Sequence, residues 1–233
     1  MNPLRQSIKW AMSVLLPRRR WLVSGRGLAQ NAALTFDDGP DPDVTPRVLD
    51  ELAAQGLRAT FFVVGRAAQL QPSLVRRIVD EGHGLGNHTW FHREPDCVNA
   101  RQLADEIERT RHLLADITGR DVALFRPPQG KLTLSKLLAA WKLRQTVVLW
   151  NVDPRDYRAS PDERAEWAAR YQPSAGDVVL LHDNRSASLD LLQRMRPALA
   201  RIECGLIEDW LQPKEFSRHG TPSAQKRLQE VAR

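Results

Sequence analysis

Between residues 31 and 212 the chain alternates apolar strand patterns with helix patterns, and this alternation constrains the fold more than any other feature. The strand patterns are Ala32–Asp38, Ala59–Gly65, Gly84–His88, Ala123–Pro127, Thr146–Asp153 and Asp177–His182. The helix patterns are Thr45–Gln55, Pro72–Glu81, Asn99–Thr118, Thr133–Lys142, Pro161–Tyr171 and Ser186–Ile202. Repeated strand–helix units predict an α/β fold with a parallel sheet, either open and doubly wound or closed as a barrel. The 233 residues suit one such domain.

The positive charge of the chain is concentrated in its first 27 residues. Residues 1–27 contain Lys and Arg but no acidic residue, and they account for the whole formal net charge of +6. Residues 28–233 therefore sum to zero. A nucleic-acid-binding domain carries basic residues across its globular surface, so this distribution argues against nucleic acid as a partner.

Residues 1–27 also have an amphipathic pattern. Leu4, Ile8, Ala11 and Leu15 fall at helical spacing. The uncharged run from Trp10 to Leu16 is shorter than the ~20 residues that span a bilayer, and an arginine cluster follows it instead of a small-residue cleavage site. Two interpretations stay open: a helix on an anionic membrane surface, which we favour, and a lead-in helix packed on the domain.

We expect three regions along the chain: the basic segment 1–27, one globular domain over residues 28–212, and a tail over residues 213–233. The tail is polar and rich in Lys, Arg and Gln, which is typical of a loosely held terminus. Cys97 and Cys204 are far apart in the sequence. Neither a disulfide framework nor a thiolate metal site is therefore predicted.

Two adjacent carboxylates, Asp37 and Asp38, end the first strand pattern, directly before a Gly39-Pro40 turn. Neighbouring residues of a strand point to opposite faces, so the two carboxylates are expected to have different roles. An unpaired charge at the edge of a core is costly, and a metal or a cationic partner compensates for it. Taken alone, the sequence Asp37-Asp38-Gly39 also fits a solvated turn.

His88 and His92 follow the third strand pattern at a spacing of four residues. On a helical turn this spacing places both imidazoles on one face, within reach of a single ion. A carboxylate from Asp37 or Asp38 would complete a set of two histidines and one carboxylate. Such a set leaves open coordination positions and is typical of catalytic metals.

Polar clusters also end the fourth, fifth and sixth strand patterns. They are Arg126-Pro127-Pro128-Gln129-Gly130, Trp150-Asn151-Val152-Asp153-Pro154-Arg155-Asp156-Tyr157 and His182-Asp183. Arginine at such a position can orient a carboxylate and keep it ionised. Active sites of parallel α/β folds assemble at the C-terminal ends of the strands, so we expect these clusters to meet there.

These five stretches, in this order, resemble the five motifs of the polysaccharide deacetylase family (carbohydrate esterase family four, with the nodulation-type chitooligosaccharide deacetylases). The resemblance covers roughly residues 31–183 and makes residues 28–212 the catalytic domain. It implies a distorted, incomplete (β/α) barrel. It also implies a metal-dependent hydrolase that removes an N-acetyl or other N-acyl group from an aminosugar in a polysaccharide, an oligosaccharide or a lipid-linked saccharide.

The resemblance further implies a role for each matching residue. The metal ligands would be Asp38, His88 and His92, binding Zn²⁺ or another divalent transition metal such as Co²⁺ or Ni²⁺. Asp37 would be the general base, held by Arg126, and His182 the general acid, tuned by Asp156. The backbone N–H of Gln129 would stabilise the oxyanion, Thr89 would brace the histidine loop, and Leu180 would line the pocket for the acyl methyl.

Two positions depart from the family pattern: Gln129 stands where an aromatic residue is usual, and Tyr157 where tryptophan is usual. Both changes are expected to reshape the groove that binds the N-acetylated saccharide. The alternatives are a deformylase of a lipid-linked aminosugar and a non-catalytic saccharide-binding protein on the same fold. We expect a cytoplasmic location at the inner face of the membrane, reached through residues 1–27, with the cell envelope as the alternative.

Overall fold

The computed structural model describes residues 11–212; the predicted tail and the first ten residues of segment 1–27 lie outside the described part. Seven parallel strands form one sheet: β1 (Trp21–Leu22), β2 (Ala33–Asp37), β3 (Ala59–Val63), β4 (Gly84–Asn87), β5 (Leu124–Phe125), β6 (Thr146–Val148) and β7 (Val178–His182). The strand order is β1-β6-β5-β4-β3-β2-β7, so β1 and β7 are the two edges of an open, curled sheet. This half-barrel confirms the predicted incomplete (β/α) barrel.

Within residues 11–212, eight α-helices pack around the sheet: α1 (Thr45–Gln55), α2 (Gly65–Leu70), α3 (Pro72–Asp80), α4 (Ala100–Thr118), α5 (Leu134–Lys142), α6 (Pro161–Arg170), α7 (Ser186–Leu199) and α8 (Ile207–Leu211). Residues 11–15 are helical as well. Short 3₁₀ turns occur at Pro95–Cys97 and Pro128–Gly130. The described helices include none with both the length and the apolar character needed to cross a bilayer.

Local sequence signals account for most of the helix ends. The helix α1 has a proline in its first turn and ends at Gly56, whose φ of 64° suits a residue without a side chain. A capping box begins α4, in which the side chains of Asn99 and Gln102 each bind the other's backbone N–H. Ser160 and Glu163 form the same arrangement at α6. These signals place the helices that carry the chain from one strand to the next.

The sheet begins inside the predicted segment 1–27. Residues 21 and 22 form β1, which pairs with β6, and Trp21 and Val23 are buried in an apolar cluster against α4 and α5. Met12 and Leu16 pack against the same cluster. A strand of two residues shows no periodicity, so its pairing depends on the free edge of β6 and not on a local pattern. The boundary expected after residue 27 therefore lies within the packed domain.

Two more elements differ from the sequence expectations. The strand pattern Ala59–Gly65 ends at Val63 because Gly65 begins the short helix α2. Helix α8 lies beyond the last predicted helix and buries Ile207 and Trp210. Both helices are too short for a full period of apolar positions, which is why the sequence pattern does not reveal them.

Candidate active site

The C-terminal ends of the parallel strands surround one cleft of about 630 Å³. Strands β2 and β7 are neighbours, and their register places Asp37 directly beside His182. Eight of the ten predicted site residues line the cleft: Asp37, Asp38, His88, His92, Gln129, Tyr157, Leu180 and His182. The other two, Arg126 and Asp156, are buried and bind Asp37 and His182 respectively.

Asp38, His88 and His92 form a cluster whose potential ligand atoms all lie within 4.8 Å of one another. The Nε2 atoms of His88 and His92 lie 3.5 Å and 3.3 Å from Asp38 Oδ1. That oxygen is buried and accepts no hydrogen bond from the part of the chain that the structure describes. An orphaned buried carboxylate oxygen facing two imidazole nitrogens fits a divalent transition metal well.

Left-handed backbone conformations, at and between the residues of this cluster, bring its side chains together. Asp38, Thr89 and His92 have φ angles of 76°, 67° and 51°. The segment 88–92 is not helical, so the expectation of a helical turn is wrong: a strained loop, and not a helix face, brings the two imidazoles together. The hydroxyl of Thr89 accepts the backbone N–H of His92 at 3.1 Å and holds this loop.

The environment of His88 fixes which nitrogen faces the cluster. His88 Nδ1 lies 2.7 Å from the carbonyl oxygen of Arg126, so Nδ1 is the donor and Nε2 is left for a metal. Burial alone lowers the pKa of His88, but the charges of Asp37 and Asp38 outweigh this effect and raise it. Burial raises the pKa of Asp38, yet its close contact with His88 and the positive charges of the neighbouring histidines hold that pKa well below its usual range.

Asp37 is held from behind by a fully buried arginine. Arg126 Nη1 donates to Asp37 Oδ1 at 2.6 Å and to Thr35 Oγ1 at 2.8 Å. Two backbone carbonyls, of Val148 and Leu149, accept the remaining guanidinium N–H groups at 3.2 Å. Each of the three guanidinium nitrogens therefore donates a hydrogen bond, and Asp37 Oδ2 is left directed to the cluster, 3.7 Å from His88 Nε2.

His182 is paired with the buried carboxylate of Asp156. The Nδ1 of His182 lies 2.8 Å from Asp156 Oδ1, while Asp156 Oδ2 accepts the His182 backbone N–H and the Ser188 hydroxyl. Burial by itself lowers the pKa of His182, but the hydrogen bond and the charge of Asp156 prevail and raise it to about 9. Protonated His182 can thus donate a proton from Nε2 into the cleft near neutral pH.

The three residues expected to contact substrate also lie at the cleft. Gln129 has a left-handed φ of 54°, and its side chain bonds to Glu94 and Lys131. The ring of Tyr157 meets that of His182 edge-on, with centroids 5.4 Å apart. Leu180 is 3% exposed and forms part of the cleft floor.

Two buried acids near the site were given no role by the sequence analysis, although Asp183 belongs to the predicted His182-Asp183 cluster. Glu106 on α4 accepts the backbone N–H groups of Trp90 and Phe91 at 3.1 Å, and so braces the histidine loop. Asp183 accepts the N–H of Gly39 at 3.0 Å and a bond from Thr45, which ties the turn after Asp38 to the end of β7. One sequence feature could have predicted a role for Glu106. It lies among the apolar residues of α4, where a buried carboxylate needs a partner.

Comparisons with known proteins identify relatives that share this site's fold. Residues 25–148 match the family model described as polysaccharide deacetylase. A peptidoglycan-N-acetylglucosamine deacetylase of Bacillus cereus is 31% identical over 82% of this chain and 70% of its own. A chitooligosaccharide deacetylase of Sinorhizobium fredii is 34% identical over 76% of this chain and 88% of its own.

The fold is similar to that of a solved relative. The crystal structure of a peptidoglycan N-acetylglucosamine deacetylase with a bound N-hydroxybenzamide compound superposes with a TM-score of 0.74 and 31% sequence identity. The match covers 81% of this chain and 91% of that chain.

Proposed function

This chain belongs to the polysaccharide deacetylase family and is a metal-dependent hydrolase of carbohydrate N-acetyl groups, and we propose that it acts on an aminosugar of a cell-envelope saccharide. The names of the relatives support this substrate class: one is a peptidoglycan deacetylase and another a chitooligosaccharide deacetylase. The reaction is hydrolysis of the amide bond between the acetyl group and the sugar nitrogen. It yields acetate and a free amine.

We propose that Asp38, His88 and His92 hold the metal and that the metal is Zn²⁺. Two imidazole nitrogens and one carboxylate oxygen are ligands that Zn²⁺ prefers, and three protein ligands leave room for water and substrate. When bound, such an ion supplies Lewis-acid polarisation of the amide carbonyl and favours deprotonation of water. Co²⁺ and Ni²⁺ suit the same ligands, and the metal content of the purified protein distinguishes the three.

We propose Asp37 as the general base and His182 as the general acid. Asp37 has one oxygen held by the buried Arg126 and the other directed to the cleft, where it can take a proton from the attacking water. His182 carries a proton that Asp156 stabilises, and it can give that proton to the departing amine. The backbone N–H of Gln129 is proposed to donate to the developing oxyanion, and Leu180 to contact the acetyl methyl.

The single observation that carries this proposal is the register of β2 and β7, which places a buried carboxylate and a carboxylate-paired histidine side by side at the three-ligand cluster. A saccharide-binding protein has no need of such a pair. We expect Asp37→Asn to retain metal and to lose about 10²–10⁴-fold in turnover, because it removes proton transfer only. Asp38→Asn is expected to lose metal and turnover together.

The test is amine release from a panel of N-acetylated and N-formylated oligosaccharides, with metal content measured on the same samples. Release from acetylated substrates that is abolished by chelation and by Asp37→Asn supports the deacetylase. Faster release from the formylated series would favour the deformylase. Stoichiometric metal without release from any substrate would contradict catalysis and favour a binding protein.

We also infer that segment 1–27 contacts an anionic membrane surface. Helical residues Val14 and Leu15 are 84% and 80% exposed, and the arginine cluster Arg18–Arg20 follows them. Apolar side chains beside arginines suit a membrane interface. Replacing Val14 and Leu15 by serine should abolish co-sedimentation of the full chain with anionic vesicles. The amount that co-sediments with zwitterionic vesicles should not change. Unchanged co-sedimentation would contradict the contact.

The membrane contact is proposed to lie at the inner, cytoplasmic face, with the cell envelope as the other location. Protease accessibility of the protein in intact and permeabilised cells separates the two. Cleavage only after permeabilisation of the inner membrane supports the cytoplasmic face. Cleavage once only the outer layers of the envelope are opened supports the envelope.

A further inference from the structure

The cleft carries a small excess of positive charge. Four basic side chains line it: Lys131, Arg155, Arg158 and Arg185. Outside the Asp37–Asp38 pair, Asp153 is the acidic residue of the described cleft lining. Because the domain outside segment 1–27 has no net charge, this local excess of positive charge is a property of the cleft and not of the whole surface.

Two acids lie near Arg155 and Arg158, and their hydrogen bonds go to other groups, although the charges of both arginines help to lower the pKa of Glu163. Asp153 Oδ1 accepts the backbone N–H of Arg155 at 2.9 Å, and its Oδ2 accepts the Tyr157 hydroxyl at 3.4 Å. Glu163 accepts the backbone N–H of Ser160 at 2.7 Å in the capping box of α6. Within residues 11–212, no carboxylate forms a salt bridge with Arg155 or Arg158. Both guanidinium groups are exposed and available to a ligand.

Several other surface arginines of this domain are paired with acids. Arg111 binds Asp121 through two nitrogens at 2.6 Å and 2.9 Å. Arg164 binds Asp190 at 2.9 Å, and Arg77 bridges two acids. Exposed arginines such as Arg47 also form no salt bridge within residues 11–212, so what distinguishes Arg155 and Arg158 is that they are unbridged and line the cleft.

The backbone directs Arg155 and Arg158 to the junction of two cavities. Arg155 has a left-handed φ of 61°, a strained conformation for a residue with a side chain. Both arginines line the active-site cleft and also a second cavity of about 590 Å³ that extends to Trp167. The guanidinium of Arg158 lies 5.6 Å from the ring of Tyr157, which itself contacts His182. A ligand group held at this junction would thus lie close to the proposed general acid.

We propose that the substrate carries an anionic group, a phosphate or a carboxylate, close to the N-acetylated sugar, and that Arg155 and Arg158 bind it. The inference rests on the proposed deacetylase function and narrows its substrate class. Guanidinium groups form paired hydrogen bonds with phosphate and carboxylate oxygens, and a partly enclosed cleft strengthens them. A neutral oligosaccharide would leave both guanidinium groups without a hydrogen-bonded anion.

The test compares three N-acetylated oligosaccharides of equal length on the zinc-loaded full chain. One is neutral, one carries a carboxylate on a neighbouring sugar, and one carries a terminal phosphate. We expect kcat/KM to be at least about tenfold higher for one anionic substrate, mainly through KM, and the preference to fall as salt screens the charges. Which anionic substrate is preferred distinguishes a carboxylate from a phosphate.

The variant for this test is Arg155→Gln/Arg158→Gln, with Arg47→Gln on the exposed surface of α1 as the matched control. We expect the double variant to lose the preference and the control to keep it. Equal cleavage of neutral and anionic substrates by the unmodified chain would overturn the inference. Retention of the preference in a folded double variant would do the same.

A binding measurement decides the inference even if no substrate is hydrolysed, an outcome that would contradict the proposed function. Calorimetry compares N-acetylglucosamine 1-phosphate with neutral methyl N-acetylglucosaminide. Tighter binding of the phosphate that is lost in the double variant supports the arginine site. Equal binding of the two probes would overturn it. Tighter phosphate binding that persists in the double variant would also overturn it, because the phosphate would then bind elsewhere, at the metal or at Lys131 or Arg185.

Discussion

The two adjacent aspartates differ in backbone conformation and in their partners. Asp37 binds a buried guanidinium, whereas Asp38 leaves the strand in a left-handed conformation and faces two imidazoles. One carboxylate is thereby suited to accept a proton and the other to bind a cation. The pair shows how one change of backbone conformation separates two chemical roles in consecutive residues.

The first prediction concerns the proton on His182. In the metal-free protein, NMR titration should give a pKa of about 9 for this histidine. In Asp156→Asn it should fall toward the ordinary value of about 6.5, because the hydrogen bond and the charge that oppose burial are weakened. An unchanged pKa in this variant would show that another group stabilises the proton. Asp190→Asn, on the outer side of α7, is the matched control.

The same pKa shift predicts how stability depends on pH. The folded pKa of His182 lies above its unfolded value of about 6.5, so protonated His182 stabilises the fold below pH 6.5. This contribution is lost as the pH rises from about 6.5 through 9. At about 1.4 kcal/mol per pKa unit it is on the order of 3 kcal/mol. Denaturant unfolding of the metal-free chain across this range should show the decline, and Asp156→Asn should show a smaller one.

At the level of elements, Arg126 connects separate parts of the sheet. It leaves the end of β5 and binds Asp37 and Thr35 on β2 as well as two carbonyls at the end of β6. Its guanidinium also lies 4.0 Å from the centre of the Phe62 ring on β3. A single side chain therefore fixes the relative positions of the strand ends that form the cleft.

The second prediction follows from this burial. Arg126→Met should lower the free energy of unfolding by about 3–5 kcal/mol, because it leaves Asp37 as a buried charge without its partner. Urea denaturation monitored by circular dichroism measures the loss. Arg126→Met/Asp37→Leu should recover part of it, since neither charge then remains. A loss below about 1 kcal/mol for the single variant would mean that the pair contributes little to stability.

The helices were well predicted from sequence, because their end signals are local. The prediction Thr45–Gln55 agrees with α1 at both ends, and the capping residue Asn99 marks the start of α4. The grouping of the cleft residues was likewise predicted, since polar clusters at the ends of parallel strands must meet. The conformation of the loop at His88–His92 was not predicted, because the backbone of its middle residues is held by Glu106 on α4, 15 to 16 residues further along the chain. The hydrogen bond between Gly39 and Asp183 was not predicted either, because the two residues are 144 positions apart and no local sequence pattern connects them.

For the whole molecule, a bound metal should stabilise the fold. Its three proposed ligands come from the segments after β2 and β4, so the complete set exists only in the folded chain. The third prediction is that Zn²⁺ raises the free energy of unfolding by roughly 2.7 kcal/mol when its free concentration is about 100 times Kd. Thermal unfolding of the chelated chain, with and without added Zn²⁺, measures it. His92→Ala should abolish the gain, and a gain that persists would place the zinc elsewhere.

The last prediction concerns the N-terminal segment as part of the sheet. Trp21 in β1 is 5% exposed and packs in the cluster that includes Phe125 and Val147, so Trp21→Ala should cost about 3–5 kcal/mol. Val14→Ser, at an 84% exposed position, should change stability by less than about 0.5 kcal/mol. Chemical denaturation of both variants provides the comparison.

Removing residues 1–27 should destabilise the domain for the same reason, because it takes away β1 and uncovers the edge of β6. Loss of membrane binding in such a truncated chain could then reflect unfolding, whereas the exposed residues Val14 and Leu15 can be changed without disturbing the sheet. If the truncated chain unfolds at the same temperature as the full chain, β1 does not contribute to the domain. Segment 1–27 would then be separable from the fold, as its sequence pattern alone suggests.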